Sequence, residues 1–341
     1  MSRRPEVTRE YHNAMLDSSY WQHFKPRSDD IIISTSMKAG TTWMQRICAA
    51  LVFQTAKLNE PVDATSPWID MRNSLPEFTQ PGLEAQTHRR FVKSHLPLDA
   101  TPYYDEVKYI VVGRDARDVF MSMVPHHYNI APHIFSMMND RDGHERIATM
   151  RAQGVELSPE EEKVFLGMRR WEGKDIPTLE GVDIREIWRM WMTTSPFPWE
   201  QDGFPYWSHF YHLNSWWEFK HLPNILFVHY SDLLEDLDGE MRRISKWLDI
   251  DVDESLWPSL VESATFASMK SQSDQTAPAV THGIWKDPAN FFHKGKNGRW
   301  RDVLTDEDLQ LYEDLKTRTL MPDAVDWLEQ GGLKIGYPGN D

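Results

Sequence analysis

Three polar side chains in this sequence have the types and positions needed to handle an anion and a proton. Lys38 lies between a β-branched run, 31–35, and an apolar helical pattern that starts at Thr42. Lys93 and His95 are two residues apart at the end of another apolar run, so they would share one strand face. A neutral imidazole is a natural base for a hydroxyl, and lysine neutralises charge that develops in a transition state. These three residues, which we call the candidate catalytic group, could bind an anion and move a proton, although one histidine among 14 is by itself weak evidence for a base.

The segment 36–43 has the pattern of a phosphate-binding loop between a strand and a helix. A helix N-terminus carries unpaired N–H groups and partial positive charge, which favour anion binding. Gly40 allows close approach of the backbone, while Thr41 and Thr42 can cap the helix and donate hydroxyls. The residue order excludes the triphosphatase motif, because the lysine precedes the glycine and the first glycine is missing. An ordinary helix cap is the alternative interpretation.

Two further segments place cations where a phosphate could bind. Arg114 follows the apolar run 108–113 and can form a fork onto a phosphate, and Ser122 follows about two helical turns later. An Arg114–Asp118 surface pair is the alternative. The stretch 291–300 concentrates cations and glycines in an acidic protein, which suits a clamp over phosphate, although composition alone favours a solvated charge run.

In this order, the segments resemble the signatures of cytosolic-type sulfotransferases that use 3′-phosphoadenosine 5′-phosphosulfate (PAPS). Residues 38–43 resemble the 5′-phosphosulfate loop, and 93–97 the Lys-Thr-His-Leu-Pro motif. Residues 114–122 resemble the 3′-phosphate signature, and 293–300 the Arg-Lys-Gly-x-x-Gly-x-Trp motif. The resemblance covers about 31–304. It implies an enzyme that transfers a sulfuryl group from PAPS to a hydroxyl acceptor and releases adenosine 3′,5′-bisphosphate (PAP), without a metal.

The resemblance also implies a role for each matched residue. His95 would be the base, Lys38 would stabilise charge on the leaving phosphate, and Lys93 would support the sulfuryl group. For the aromatic residues of the set, ordinary packing is the alternative. The implied nucleotide-binding residues are Lys38, Ala39, Gly40, Thr41, Thr42, Trp43, Arg114, Ser122, Tyr230, Phe266, His293, Lys294 and Gly295.

Three positions depart from the family pattern. Ala39 lacks a hydroxyl that is often proposed to modulate the catalytic lysine, and Ala264 replaces a threonine, which would remove a polar contact to the base. His293 stands where arginine is usual. Because histidine titrates, we expect PAP affinity to weaken as pH rises through roughly 6.5, unless neighbouring cations offset the loss.

The elements that would position these residues predict an α/β fold with a central, mostly parallel sheet flanked by helices. Strands are predicted at 31–35, 90–94, 108–113 and 225–230, separated by helices at 42–53, 116–123, 206–220 and 237–248. Ligands then bind at the carboxyl ends of the strands. The resemblance makes this a P-loop-like nucleotide-binding sulfotransferase fold, with 1–341 as a single domain. The stretch 125–206 is predicted as an acceptor-side region, or as a surface insertion.

Composition narrows the classes of partner and compartment. The formal net charge of −15 argues against nucleic-acid binding, and no run of about 18 apolar residues predicts a membrane span. The polar N-terminus has no signal-peptide core, and the single cysteine, Cys48, permits no intramolecular disulfide, which predicts a cytoplasmic protein. His126, His127 and His133 lack the companions of a metal site. The protein would be a monomer or a homodimer.

The acceptor is less determined than the donor. The runs 66–68, 88–91, 221–224 and 283–285 look similar to a bacterial glycolipid-sulfotransferase-like branch, which favours a hydrophobic alcohol or a glycolipid and leaves a phenol open. Two other functions stay open. A nucleotide-dependent phosphotransferase is disfavoured by the missing Gly-Lys-Ser/Thr order. A non-catalytic PAPS- or PAP-binding protein is disfavoured by the presence of Lys38 and His95.

Overall fold

Four parallel strands form the centre of the protein, whose computed structural model describes residues 3–278 and 283–338. They are β1 (Ile31–Thr35), β2 (Phe91–Ser94), β3 (Lys108–Gly113) and β4 (Ile225–His229), in the sheet order β2-β1-β3-β4. The predicted strands and the predicted parallel sheet are confirmed. Because the chain places β2 on one side of β1 and then β3 on the other, the sheet has its switch point between β1 and β3.

Alternation along the strands builds a core on each face of the sheet. In β1, Ile31 and Ile33 pack into one hydrophobic cluster, and Ile32 packs into the other. In β3, Ile110 belongs to the first cluster and Val111 to the second. Both faces are covered by helices, which is why the centres of these strands are apolar and their charged and hydroxyl-bearing residues lie toward the strand ends.

The strands are connected and covered by seventeen α-helices among the described residues. Short 3-10 turns lie at Ser18–His23, Leu98–Ala100, Pro288–Phe291 and Arg299–Asp302. The α-helices are α1 (Thr41–Phe53), α2 (Val62–Thr65), α3 (Pro76–Ala85), α4 (Ala116–Tyr128), α5 (Pro132–Asn139), α6 (His144–Ala152), α7 (Pro159–Leu166), α8 (Ile184–Thr193), α9 (His209–Trp217), α10 (Tyr230–Glu235), α11 (Leu237–Trp247), α12 (Trp257–Ser263), α13 (Phe266–Ser271), α14 (Ser273–Thr276), α15 (Asp306–Thr319), α16 (Pro322–Gln330) and α17 (Gly332–Ile335).

Two of the four predicted helices, α1 and α11, differ from their predicted bounds by one residue, and α9 and α4 differ by more. Helix α9 begins at His209, three residues later than predicted, because the Ser208 hydroxyl accepts from the amide of Tyr211 and the Asp202 carboxylate accepts from the amide of His209. Helix α4 continues past its predicted end to Tyr128, through Pro125. None of the helices in the described part of the chain has the length and apolar character needed to cross a membrane.

The stretch 125–206 contributes to the same core as the sheet. It contains the end of α4 and all of α5 to α8. Ile134, Trp171 and Trp188 are buried in the hydrophobic cluster that also holds Ile32 and Val111. This stretch is therefore packed against the strands that carry the site.

Candidate functional site

The carboxyl end of each strand leads directly into a predicted site residue. Strand β1 runs into the Lys38 loop, β2 into His95, β3 into Arg114 and β4 into Tyr230, the first residue of α10. These residues line one cavity of about 700 Å³. All the other predicted site residues except Ala39 also line it, namely Gly40, Thr41, Thr42, Trp43, Lys93, Ser122, Phe266, His293, Lys294 and Gly295. Ala39 is fully buried in the core instead.

The loop at the start of α1 leaves the helix terminus open. Lys38 has a φ of 60° and Gly40 a φ of 125°, and a Cβ on Gly40 would lie 3.1 Å from the Tyr230 ring. The prediction that Thr41 or Thr42 caps the helix is wrong: Gly40 is the N-cap and no side chain caps α1. The Thr41 hydroxyl is bonded instead to that of Thr35. The first amides of α1 therefore have no side-chain acceptor, which suits an incoming anion.

His95 is held as a neutral imidazole with one nitrogen available. Its Nδ1 lies 2.7 Å from the carbonyl oxygen of Thr35, to which it donates, so Nε2 keeps its lone pair. Burial, together with the positive charges of Lys93 and Lys38, lowers the pKa of His95 to about 3. The rings of Trp68 and Trp207 lie 4.6 and 5.0 Å from the imidazole, between centroids, and restrict its orientation.

Both lysines of the candidate catalytic group are desolvated. Burial, with the charges of Arg114 and Lys93, lowers the pKa of Lys38 to about 7, and burial lowers the pKa of Lys93 to about 8. Lys38 Nζ lies 3.2 Å from Nδ1 of His126, to which it can donate. Within residues 3–278 and 283–338, Lys38 forms no ion pair. An anion between these side chains would relieve their mutual repulsion.

Arg114 is positioned by the carboxyl-terminal loop, residues 291–300, rather than by Asp118. Its Nη2 donates to Oδ1 of Asn297 at 2.9 Å, and its guanidinium lies 3.9 Å from the centre of the Tyr230 ring. Asp118 accepts from the amide of Gly298 instead, so the alternative Arg114–Asp118 pair does not form. Ser122, on α4, is half-buried in the cavity wall. The predicted phosphate-binding pair therefore opens onto the same cavity.

The carboxyl-terminal loop is attached to α4 through a gap in the helix hydrogen bonds. Pro125 has no N–H, so the carbonyl of Met121 lacks its usual partner and accepts from Arg299 Nη2 at 2.6 Å. Gly295 has a φ of 60°, and a Cβ there would lie 2.6 Å from the Phe266 ring. The loop therefore places His293 and Lys294 at the cavity. It is packed against α4 and Phe266, unlike the solvated run of charges that was the alternative interpretation.

His293 has its pKa lowered by burial and by the charges of Arg299 and Lys294, with smaller effects of Lys270 and Lys38. Its titration therefore falls below the window near 6.5 that the sequence predicts. Any gain of affinity from a charged His293 would appear only at more acidic pH.

Aromatic side chains define one wall of the cavity. Trp43 Nε1 donates to the carbonyl of Ala264 at 2.7 Å, and its ring packs edge-on against Tyr230 at 5.1 Å. Phe266 packs against Phe292 at 6.1 Å. Position 264 thus contributes its backbone oxygen to the orientation of Trp43, a role that the alanine leaves intact.

Several residues at the site were not identified as site residues by sequence reasoning. Trp207, Phe291 and Trp68 line the cavity, and Asn297 holds Arg114. Their signals were weak, because tryptophan and phenylalanine are usually core residues and Asn297 occupies a variable position of its motif. Of the three histidines considered for a metal, His126 lines the cavity, whereas His127 is buried against Tyr206 and His133 is exposed.

The stretch 125–206 supplies an apolar wall of the cavity, and its role on the acceptor side stays a prediction. Its lining side chains come from α5, α6 and α7 and from the connections between them. They include Ile130, Ile134, Met137, Met138, Met150, Val155, Leu157 and Phe165. Across the described ranges, no group of three or more His, Cys, Asp or Glu side chains is placed to hold a metal ion.

Comparisons with known proteins identify the family. The sulfotransferase domain profile matches residues 28–321. A glycolipid sulfotransferase of Mycobacterium tuberculosis is 33% identical over 336 residues, which cover 97% of this chain and 96% of that protein. Sulfotransferase 1A1 of Rattus norvegicus is 26% identical over 292 residues, or 83% and 82% of the two chains.

Solved structures show the same fold. A mouse sulfotransferase complexed with PAP has a TM-score of 0.61 at 20% identity, covering 93% of this chain and 94% of that chain. Retinol dehydratase in complex with androsterone and PAP has a TM-score of 0.59 at 21% identity, covering 90% and 87%. The profile match over most of the chain and the identity to the mycobacterial relative show that this chain belongs to the sulfotransferase family and is a sulfotransferase enzyme.

Proposed function

We propose that this enzyme transfers the sulfuryl group of PAPS to the hydroxyl of a hydrophobic alcohol or glycolipid, giving a sulfate ester and PAP. The observation that carries the proposal is the neutral His95, fixed by Thr35, in the same cavity as the desolvated Lys38 and Lys93. An imidazole base and desolvated cations are what hydroxyl activation and an anionic donor require.

In the proposed reaction, the acceptor oxygen forms a bond to sulfur while the bond from sulfur to the phosphate oxygen breaks. His95 Nε2 accepts the acceptor proton. Lys38 and the open amides of α1 stabilise the negative charge on the leaving phosphate, and Lys93 supports the sulfuryl oxygens. A pKa near 3 makes His95 a weak base in the free enzyme, but an anionic donor beside Lys38 and Lys93 offsets the charges that lower this pKa.

The proposed acceptor class rests on the apolar wall and on one relative. Met137, Met150 and Phe165 line the cavity beyond the cations, so an aliphatic body would be desolvated there. The 33% identical mycobacterial relative is a glycolipid sulfotransferase. A phenol remains the second acceptor class. Cytoplasmic location and a monomeric or homodimeric state stay predictions.

A transfer assay with sulfur-labelled PAPS tests the proposal. We expect label to move onto fatty alcohols or glycolipids in the absence of added metal, and to a smaller extent onto phenols and sterols. Mg²⁺-dependent ATP turnover without PAPS turnover would favour the phosphotransferase instead. Tight PAP binding with no transfer to any acceptor class would favour a non-catalytic binding protein.

The lowered pKa of Lys38 predicts a pH dependence of nucleotide binding. The free group has a pKa of about 7, and a bound phosphate raises it, so PAP binding takes up a proton at and above this pH. We expect affinity to be full below pH 7 and to weaken as pH rises through about 7, by at most roughly tenfold per unit for this group. Because burial lowers the pKa of Lys93 to about 8, this lysine should extend the loss of PAP affinity above pH 8. Calorimetry at pH 8 in buffers of different ionisation enthalpy measures the uptake, and constant affinity between pH 6 and 9 would contradict it.

A further inference from the structure

Two arginines beside the cavity have guanidinium groups without hydrogen-bond acceptors. Arg72 is 1% exposed, and none of its three side-chain nitrogens has a partner among the described residues. Arg146, on α6, lines the cavity, and its Nε and Nη1 are equally unpaired. The two groups are close enough for the charge of Arg72 to lower the pKa of Arg146. Unsatisfied donors of two neighbouring cations are costly inside a protein, so such a pair indicates a missing acceptor.

The nearby carboxylates do not supply that acceptor. Asp140 accepts from the amides of Gly143 and Arg146, at 3.0 and 2.9 Å, and Asp17 accepts from the amide and hydroxyl of Ser19. Both carboxylates favour the charged form of Arg72 through space, but neither forms a hydrogen bond to its guanidinium. The two carboxylates therefore act on Arg72 only through space, and its guanidinium nitrogens remain without hydrogen-bond acceptors among the described residues.

The arginine pair is separate from the catalytic group. The charges that shift the pKa values of Lys38, Lys93 and His95 do not include Arg72 or Arg146. The lining of the cavity also includes many apolar side chains, among them Leu75, Phe78, Ile134, Met137, Met150 and Phe165. One continuous cavity thus has a catalytic polar region, an apolar wall and a second cationic region.

We propose that the acceptor carries an oxyanion as well as its reactive hydroxyl, and that Arg146, supported by Arg72, binds this oxyanion. The inference rests on the proposed function and specifies its substrate class: an amphiphile with a hydroxyl, an aliphatic body and a carboxylate, phosphate or sulfate group. A guanidinium fork matches the paired oxygens of any of these groups. Arg146 is half-buried at the cavity wall, so part of its side chain is accessible to a ligand there.

Matched acceptors test the proposal. The probes are ω-hydroxy fatty acids of graded chain length, their methyl esters, and the corresponding ω-hydroxyalkyl phosphates, each assayed with labelled PAPS. For the wild-type enzyme, we expect kcat/KM for an acid or a phosphate to exceed that for the neutral ester by about tenfold or more at the best chain length. Preference for the phosphate series or for the carboxylate series then identifies the oxyanion.

Variants of α6 assign the preference to one side chain. Arg146→Met keeps an apolar stem and should remove the preference, because kcat/KM for the acid falls far more than kcat/KM for the ester, and Arg146→Lys should retain part of the preference. Arg151→Met is the matched control, because it removes one charge from the same helix but lies on the surface, paired with Glu162. Equal use of acid and ester by the wild type, or an unchanged preference in Arg146→Met, would overturn the inference.

A binding measurement keeps this inference distinguishable from the proposed function. Calorimetric titration of the hydroxy acids into PAP-loaded protein, wild type and Arg146→Met, reports on the arginines without turnover. Loss of acid affinity in Arg146→Met supports the oxyanion site even if no sulfuryl transfer occurs, in which case only the reaction is refuted. Equal affinity of the two proteins for the acid, with normal turnover of the esters, refutes the oxyanion site alone.

Discussion

His95→Ala should lower sulfuryl-transfer turnover by at least about 100-fold while PAP affinity stays close to that of the wild type. General-base catalysis typically contributes factors of 10² to 10⁴, and His95 Nε2 is the free imidazole nitrogen next to the candidate lysines. Single-turnover transfer with labelled PAPS measures the first effect, and PAP calorimetry measures the second.

The control for this variant is His133→Ala, which removes an exposed histidine of α5 whose Nε2 lies 3.2 Å from the side-chain nitrogen of Gln153. It should turn over normally. His95→Asn, which retains a polar side chain, guards against loss of packing between Trp68 and Trp207. If His95→Ala kept turnover within a few-fold of normal, another group would have to be the base.

Lys38→Met should lower turnover by roughly 10²- to 10³-fold, the usual effect of removing one preorganised donor to a developing negative charge. Lys38 is half-buried, desolvation and the charges of Arg114 and Lys93 lower its pKa to about 7, and it lies beside the open N-terminus of α1. It is also the only cationic residue in the segment 36–43. The same variant should abolish the part of the proton uptake on PAP binding that starts near pH 7. Turnover assays with labelled PAPS measure the loss of turnover. Calorimetry of PAP binding in buffers of different ionisation enthalpy measures the loss of proton uptake.

Lys25→Met provides the charge-matched control for Lys38→Met. Lys25 is exposed and paired with Glu84 at 2.9 Å, outside the cavity, so its loss changes the net charge equally without touching the site. If Lys38→Met turned over within tenfold of the control, Lys38 would not be the main group that stabilises the leaving phosphate. Arg114 and the amides of α1 would then be the remaining candidates.

The fold was largely predictable because the strands of a parallel sheet have a strong sequence pattern. The bounds predicted for β1 and β3 coincide with the structure, and β2 and β4 each differ by one residue. The end of β4 moved because the side chain of His229 accepts from the amide of Ser231 and so starts α10 at Tyr230. Such a cap depends on the histidine tautomer and orientation, which residue type alone does not specify.

The catalytic and nucleotide side of the site was also predictable, since each motif directly follows a strand. What could not be predicted depends on contacts between distant segments. Thr41 was expected to cap α1, but the neighbouring Thr35 binds its hydroxyl. Asn297 reaches Arg114 across 183 positions, and Trp207 reaches His95 from the connection before α9. The unpaired donors of Arg72 and Arg146 became visible only once burial and hydrogen bonds were known.

The methionines of the cavity wall have a consequence for substrate choice. Met15, Met71, Met137, Met138 and Met150 are unbranched and flexible, so the middle of the cavity can adjust to many shapes. Its polar regions, in contrast, are held by rigid elements: β2 positions His95, and α6 positions Arg146. If Arg146 binds an oxyanion as proposed, this arrangement would select acceptors by the distance between their hydroxyl and their oxyanion and would tolerate wide variation in the aliphatic part that joins the two groups.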